Sequence, residues 1–116
     1  MNQSPAESNQ LNMPNEILAK AVSRVRSALG LSEGQLLSIL KTQTLDGLES
    51  SSETGKRATR LIWVYQRLYA YVGGDKKAMH HWASTHNRSL GSSPVDIMST
   101  DSGLDRVIEY LNSRSQ

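Results

Sequence analysis

The chain has no cysteine among its 116 residues, which excludes a disulfide framework, a thiolate nucleophile and a cysteine-based metal site. A cysteine-free composition fits a cytoplasmic protein, where thiols stay reduced. Histidine is nearly as scarce. His80 and His81 are sequence neighbours that a helix would aim at different faces, and His86 follows five residues later. At most two of them can converge, there is no His-Glu-x-x-His spacing, and a zinc ion needs three or four ligands. No metal site is expected, and the histidines are read as solvent-facing or capping residues.

Long apolar runs are also missing. No stretch approaches the roughly 18 consecutive apolar residues of a membrane-spanning helix. The first residues lack a basic segment followed by an apolar one, so no secretory signal is expected either. Apolar content is 37%, enough for a modest core that a partner surface could complete. The recurring marks of catalysis are absent as well. The serines occupy no Gly-x-Ser-x-Gly turn or Ser-x-x-Lys pair, and no pair of carboxylates stands out for acid–base work. Gly73-Gly74-Asp75-Lys76-Lys77 lacks the spacing of a phosphate loop and no strand precedes it, so it reads as a helix break. The protein is expected not to be an enzyme, with no catalytic residues and no cofactor.

What is present is helical periodicity. The first 14 residues hold almost no apolar side chains and read as a disordered arm. Apolar positions from Ile17 to Leu29 recur at three-to-four spacing, and Gly30 is a natural stop. Ser32 and Gln35 form a capping box for a second helix carrying Leu36, Leu37, Ile39 and Leu40. Leu45 and Leu48 suggest a third, short helix, and residues 15–55 therefore outline a degenerate helix-turn-helix unit. A long helix is expected from about Lys56 to Val72, with Leu61, Val64 and Leu68 inward. Helices then follow at Asp75 (its cap), at Ser93-Pro94, and near Thr100 or Ser102, the last with Leu104, Val107, Ile108 and Leu111 in one stripe. No alternating β pattern of useful length exists. The fold class is all-α, with the helix-turn-helix unit packed on a helical half spanning residues 56–116.

Charge divides unevenly between these halves. Residues 1–55 carry four basic and six acidic side chains, a net of −2, whereas residues 56–116 carry nine and five, a net of +4. The candidate reading helix holds Gln43 and Thr44 beside Asp46, Glu49 and Glu53, whose charge repels phosphate. Direct DNA reading through Gln43 and Thr44, with Lys56, Arg57 and Arg60 on the backbone, is the lesser expectation. Lys56, Arg60 and Arg67 share one face of the long helix, for which a solvated exterior is the simpler account. Trp63, Tyr65, Tyr69 and Tyr71 cover more than one face, so some are expected at an interface.

The densest signal lies between Trp82 and Leu111. The pattern W-x4-N-x2-L-G-x2-P-x-D, two apolar residues, x-T-x2-G-x3-V-x3-L is met by Trp82, Asn87, Leu90, Gly91, Pro94, Asp96, Ile97, Met98, Thr100, Gly103, Val107 and Leu111. It resembles the C-terminal toxin-binding domain of the Xre/MbcA/ParS antitoxin family. The resemblance implies the antitoxin of a bacterial type II toxin–antitoxin pair. Its partner would be an NAD-consuming toxin of the RES-domain or ParT-like kind, with an ADP-ribosyltransferase-like fold, inhibited by occlusion of its active site. It also implies promoter binding by the helix-turn-helix half and an antitoxin homodimer within a hetero-oligomer. Trp82, Asn87, Leu90, Gly91, Pro94, Asp96 and Gly103 would build a rigid platform. Arg88, Arg106, Tyr110, Asn112, Arg114, Ser115 and Gln116 would be the residues that touch the toxin.

Overall fold

The protein is described from a computed structural model, covering residues 13–114. Six helices follow one another, with no strand among the described residues: α1 Asn15–Leu29, α2 Glu33–Leu40, α3 Glu53–Val72, α4 Lys76–Ser84, α5 Pro94–Met98 and α6 Gly103–Arg114. The all-α expectation holds. None of these helices is long and apolar enough to cross a membrane.

Local chemistry sets the helix ends. Gly30 closes α1 in the left-handed region (φ 70°), where its N–H reaches back to Ser27. The capping box of α2 forms as expected, with the Gln35 N–H donating to Ser32 Oγ at 3.0 Å and the Ser32 N–H to Gln35 Oε1 at 2.8 Å. Ser52 caps α3 three residues upstream of Gly55, whose N–H it accepts at 2.9 Å. The long helix therefore begins at Glu53, ahead of the expected Lys56.

The third short helix does not form. Residues 41–52 run as turns and bends, for two physical reasons. Gly47 adopts φ +71°, outside the right-handed helix. Side chains also intercept the backbone: the Asp46 N–H donates to Thr44 Oγ1 at 3.0 Å and the Ser50 N–H to Asn15 Oδ1 at 2.9 Å. Among the described residues the N-terminal half thus has two helices joined to α3 by a loop, where the sequence suggested a third helix. Of the arm expected over residues 1–14, the first twelve lie outside the described residues. Met13 packs on the core, its carbonyl accepting from Ser50 Oγ, and Pro14 precedes the first turn of α1.

The core is one continuous cluster rather than two. Leu18, Val22 and Val25 of α1 meet Leu61, Val64 and Leu68 of α3, and the other faces of α3 and α4 carry the cluster on to Met98, Leu104, Val107 and Leu111. The long helix α3 is the shared spine, packing against α1 on one side and α6 on the other. At its start, Gly55 is buried so closely under the Glu49–Ser50 turn that a Cβ would collide with the Glu49 carbonyl oxygen.

Candidate functional site

The residues from Trp82 to Leu111 fold into a braced platform. The chain leaves α4 and makes a narrow turn in which the Asn87 N–H donates to the Ser92 carbonyl at 3.0 Å. Asn87 Oδ1 accepts the Leu90 N–H at 3.1 Å, and the Asn87 carbonyl accepts from Gly91 at 2.8 Å. Gly91 turns the chain at φ +85°. Leu90 is buried beneath this turn, while Trp82 packs half-buried against the core. Ser93 then caps α5 by accepting the Asp96 N–H at 3.2 Å, with Pro94 at the start of that helix. Gly103 opens α6 directly under α5, and a side chain there would collide with the Ile97 carbonyl oxygen. Asn87, Leu90, Gly91, Pro94 and Gly103 are therefore brought together as one piece of local architecture, with Asp96 exposed at the positive end of α5.

Arginines fasten this platform to its surroundings. Arg106 Nη2 reaches from α6 to the Leu90 carbonyl at 3.0 Å, tying the turn to the helix. Arg57, near the start of α3, donates to four carbonyls: Ile39 at 2.6 Å, Met98 at 3.2 Å, Asp101 at 3.2 Å and Thr100 at 3.3 Å. These belong to α2, to the last residue of α5 and to the loop between α5 and α6, so one guanidinium joins the two halves of the molecule. Burial, and next to it the proximity of Arg60, lowers the Arg57 pKa from its ordinary value, against the attraction of Asp101 and Asp105. An arginine still stays cationic under such a shift, which keeps all its donors in place. Lys41 adds a parallel tie, donating to the Ser99 carbonyl at 2.7 Å with Asp101 3.4 Å away.

The residues expected to touch a partner are not equally placed. Arg106, Tyr110 and Arg114 share one outer stripe of α6, the Arg114 guanidinium lying 5.6 Å over the Tyr110 ring. Together with Ser89, Leu90, Glu109 and Ser113, Arg106 and Tyr110 line a shallow depression of about 410 Å³. Arg88 is exposed on the adjoining turn. Asn112 sits on a different side of α6, in an apolar dip with Thr59, Arg60, Trp63 and Ile108. Ser115 and Gln116 lie outside the described residues. Ser89, Glu109 and Ser113 are additions that the sequence motif does not single out, although Glu109 and Ser113 follow from Arg106 and Tyr110 by helical spacing alone.

The residues considered for DNA are divided between the 41–52 loop and the first turns of α3. Gln43 and Thr44 lie in the 41–52 loop, where Thr44 holds the Asp46 amide. Lys56 faces Glu53 at 3.5 Å and Arg60 faces Asp105 at 3.6 Å. Arg57 is committed to the four carbonyls. The histidines serve locally: His80 Nε2 is 3.1 Å from the Ser27 carbonyl, closing the end of α1, and His81 Nδ1 is 3.3 Å from Thr85 Oγ1. Among the described residues no group of three or more His, Asp or Glu could hold a metal ion.

Residues 67–115 match the family described as the antitoxin Xre/MbcA/ParS C-terminal toxin-binding domain, in agreement with the resemblance read from Trp82 to Leu111. No curated protein matches the chain. Residues 67–115 are thus similar to an antitoxin's toxin-binding domain, a likeness that suggests an antitoxin role with a toxin as partner.

Proposed function

We propose that the protein is the antitoxin of a type II toxin–antitoxin pair and neutralises an NAD-consuming toxin of the RES or ParT-like kind by covering its active site. The observation that supports this is a coincidence in space. The family match of residues 67–115 spans the braced platform and its outer stripe of Arg106, Tyr110 and Arg114. A site that binds NAD⁺ must hold an anionic dinucleotide, so the carboxylate of Glu109 beside that stripe offers a complementary charge. The arginines and Tyr110 suit the centre of a protein interface, where both residue types are enriched. In this reading the antitoxin forms a homodimer within a hetero-oligomer in the cytoplasm.

The test is co-purification with the product of the adjacent gene, followed by an NAD⁺-consumption assay on the toxin alone and in complex. Inhibition at stoichiometric antitoxin is expected. A stable complex whose toxin still consumes NAD⁺ at the free rate rules out active-site occlusion.

A further inference from the structure

Most of the basic side chains have work inside the fold. Arg26 donates to the Leu31 carbonyl, Arg67 lies 4.7 Å over Trp63, and Lys41, Lys56, Arg57, Arg60, Arg106 and Arg114 have the partners given above. Lys20, Arg24, Lys76, Lys77 and Arg88 have none among the described residues. Three of those five, Lys20, Arg24 and Lys76, line one groove of about 490 Å³ between α1, α3 and the start of α4.

The groove's wall contains no acidic side chain among the described residues. Lys20 and Arg24 are one helical turn apart on α1, and Lys76 faces them from α4. The nearest acid in sequence, Asp75, is engaged in capping α4 through the Lys77 and Ala78 N–H groups. Tyr65 and Tyr69 line the same groove, edge-to-face with ring centroids 5.9 Å apart. Tyr69 is 49% exposed. Its ring rests against Gly74, so closely that a Cβ there would come within 2.8 Å of Cζ. The absence of a side chain at Gly74 leaves room for Tyr69 in this pose. An exposed aromatic ring flanked by three uncommitted cations matches the requirements of a phosphate joined to a flat heterocycle. The volume is in the range of small-molecule sites.

We propose that this groove binds a nucleoside phosphate, met either as a free nucleotide or as one link of a single strand. Phosphate is held by Lys20, Arg24 and Lys76, and the base stacks on Tyr69. The site lies on α1, α3 and α4, away from the α6 stripe, and stands independently of the toxin reading.

The full-length protein is titrated into a fluorescein-labelled fifteen-residue oligothymidylate and followed by anisotropy, with ATP, pyrophosphate, duplex DNA and polyglutamate as competitors. Binding is expected, with log affinity falling against log salt at a slope of about −2, as three phosphate contacts on a single strand require. Tyr69→Leu and Arg24→Glu are each expected to weaken it about tenfold, with helix content by circular dichroism unchanged. Lys77→Gln, which removes an uncommitted cation outside the groove lining, leaves it unaltered. Displacement by ATP assigns the site to free nucleotides; retention of the strand against ATP assigns it to single strands. The proposal is overturned by lack of binding, by indifference to both groove substitutions, or by pyrophosphate matching ATP, which marks a bare anion site. Preference for duplex or equal displacement by polyglutamate also overturns it, in favour of a double-helix or acidic-protein surface.

Discussion

At the residue scale, Arg57 is the side chain on which the two halves most depend. A guanidinium presents donors in a rigid fork, and here the fork spans carbonyls from α2 and from the loop before α6. Arg57→Ala leaves two part-buried and two exposed carbonyls without this donor, and a loss of about 2–3 kcal/mol in urea unfolding is expected. Arg57→Lys restores the charge but not the fork, so it should recover less than half of that loss. Wild-type stability of the lysine variant would refute the clamp. Gly103 makes a separate demand, because any Cβ meets the Ile97 carbonyl oxygen. Gly103→Ala should lower stability by about 2–4 kcal/mol, as backbone must shift to admit it; a melting temperature equal to wild type would show that the α5–α6 approach is looser than described.

At the element scale, the proposed interface makes α6 the place where stability and recognition can be separated. Leu104, Val107 and Leu111 are buried on its inner face, whereas Tyr110 and Arg114 lie on the outer one. Leu111→Ala should cost about 3 kcal/mol through the cavity it leaves. A combined Tyr110→Ala and Arg114→Ala change should cost less than that, about 1–2 kcal/mol, since the half-buried Tyr110 ring loses its packing on the core together with its contact to Arg114. The same pair should weaken toxin binding at least tenfold by calorimetry, in keeping with the large share of affinity such residues carry. Tight binding by that double variant would move the interface elsewhere.

The elements also differ in how plainly the amino-acid sequence declares them. Helices α1, α2, α4, α5 and α6 are legible there because their caps and apolar spacing are local properties, as Ser32 with Gln35 and Ser93 with Pro94 illustrate. Leu45 and Leu48 mislead, because two half-buried leucines three residues apart fit a loop lying on a core as well as a helix. The decision there falls to Gly47 and to side chains capturing amides. The basic stripe misleads for a different reason. Arg57 looks like a solvated cation in sequence, and its carbonyl partners at Met98, Thr100 and Asp101 lie more than 40 residues away. Arg106 likewise holds the Leu90 turn as well as bordering the outer depression. Helical spacing places it on the stripe but carries no trace of that second contact.

At the scale of the whole molecule, one continuous core joins the N-terminal helices to the domain that the family match covers. The N-terminal half keeps α1 and α2, while the place of a reading helix is taken by a loop carrying Asp46 and Glu49. Its structural task is to support α3, and through Arg57 and Lys41 the loop that precedes α6. The central claim is that the outer stripe of α6 seals a toxin's NAD⁺ site. The most direct measurement is the toxin's NAD⁺ hydrolysis rate against rising concentrations of wild-type antitoxin and of the Tyr110→Ala, Arg114→Ala variant. The account predicts complete inhibition at stoichiometric wild type and a curve displaced at least tenfold for the variant. Superimposable curves would contradict it.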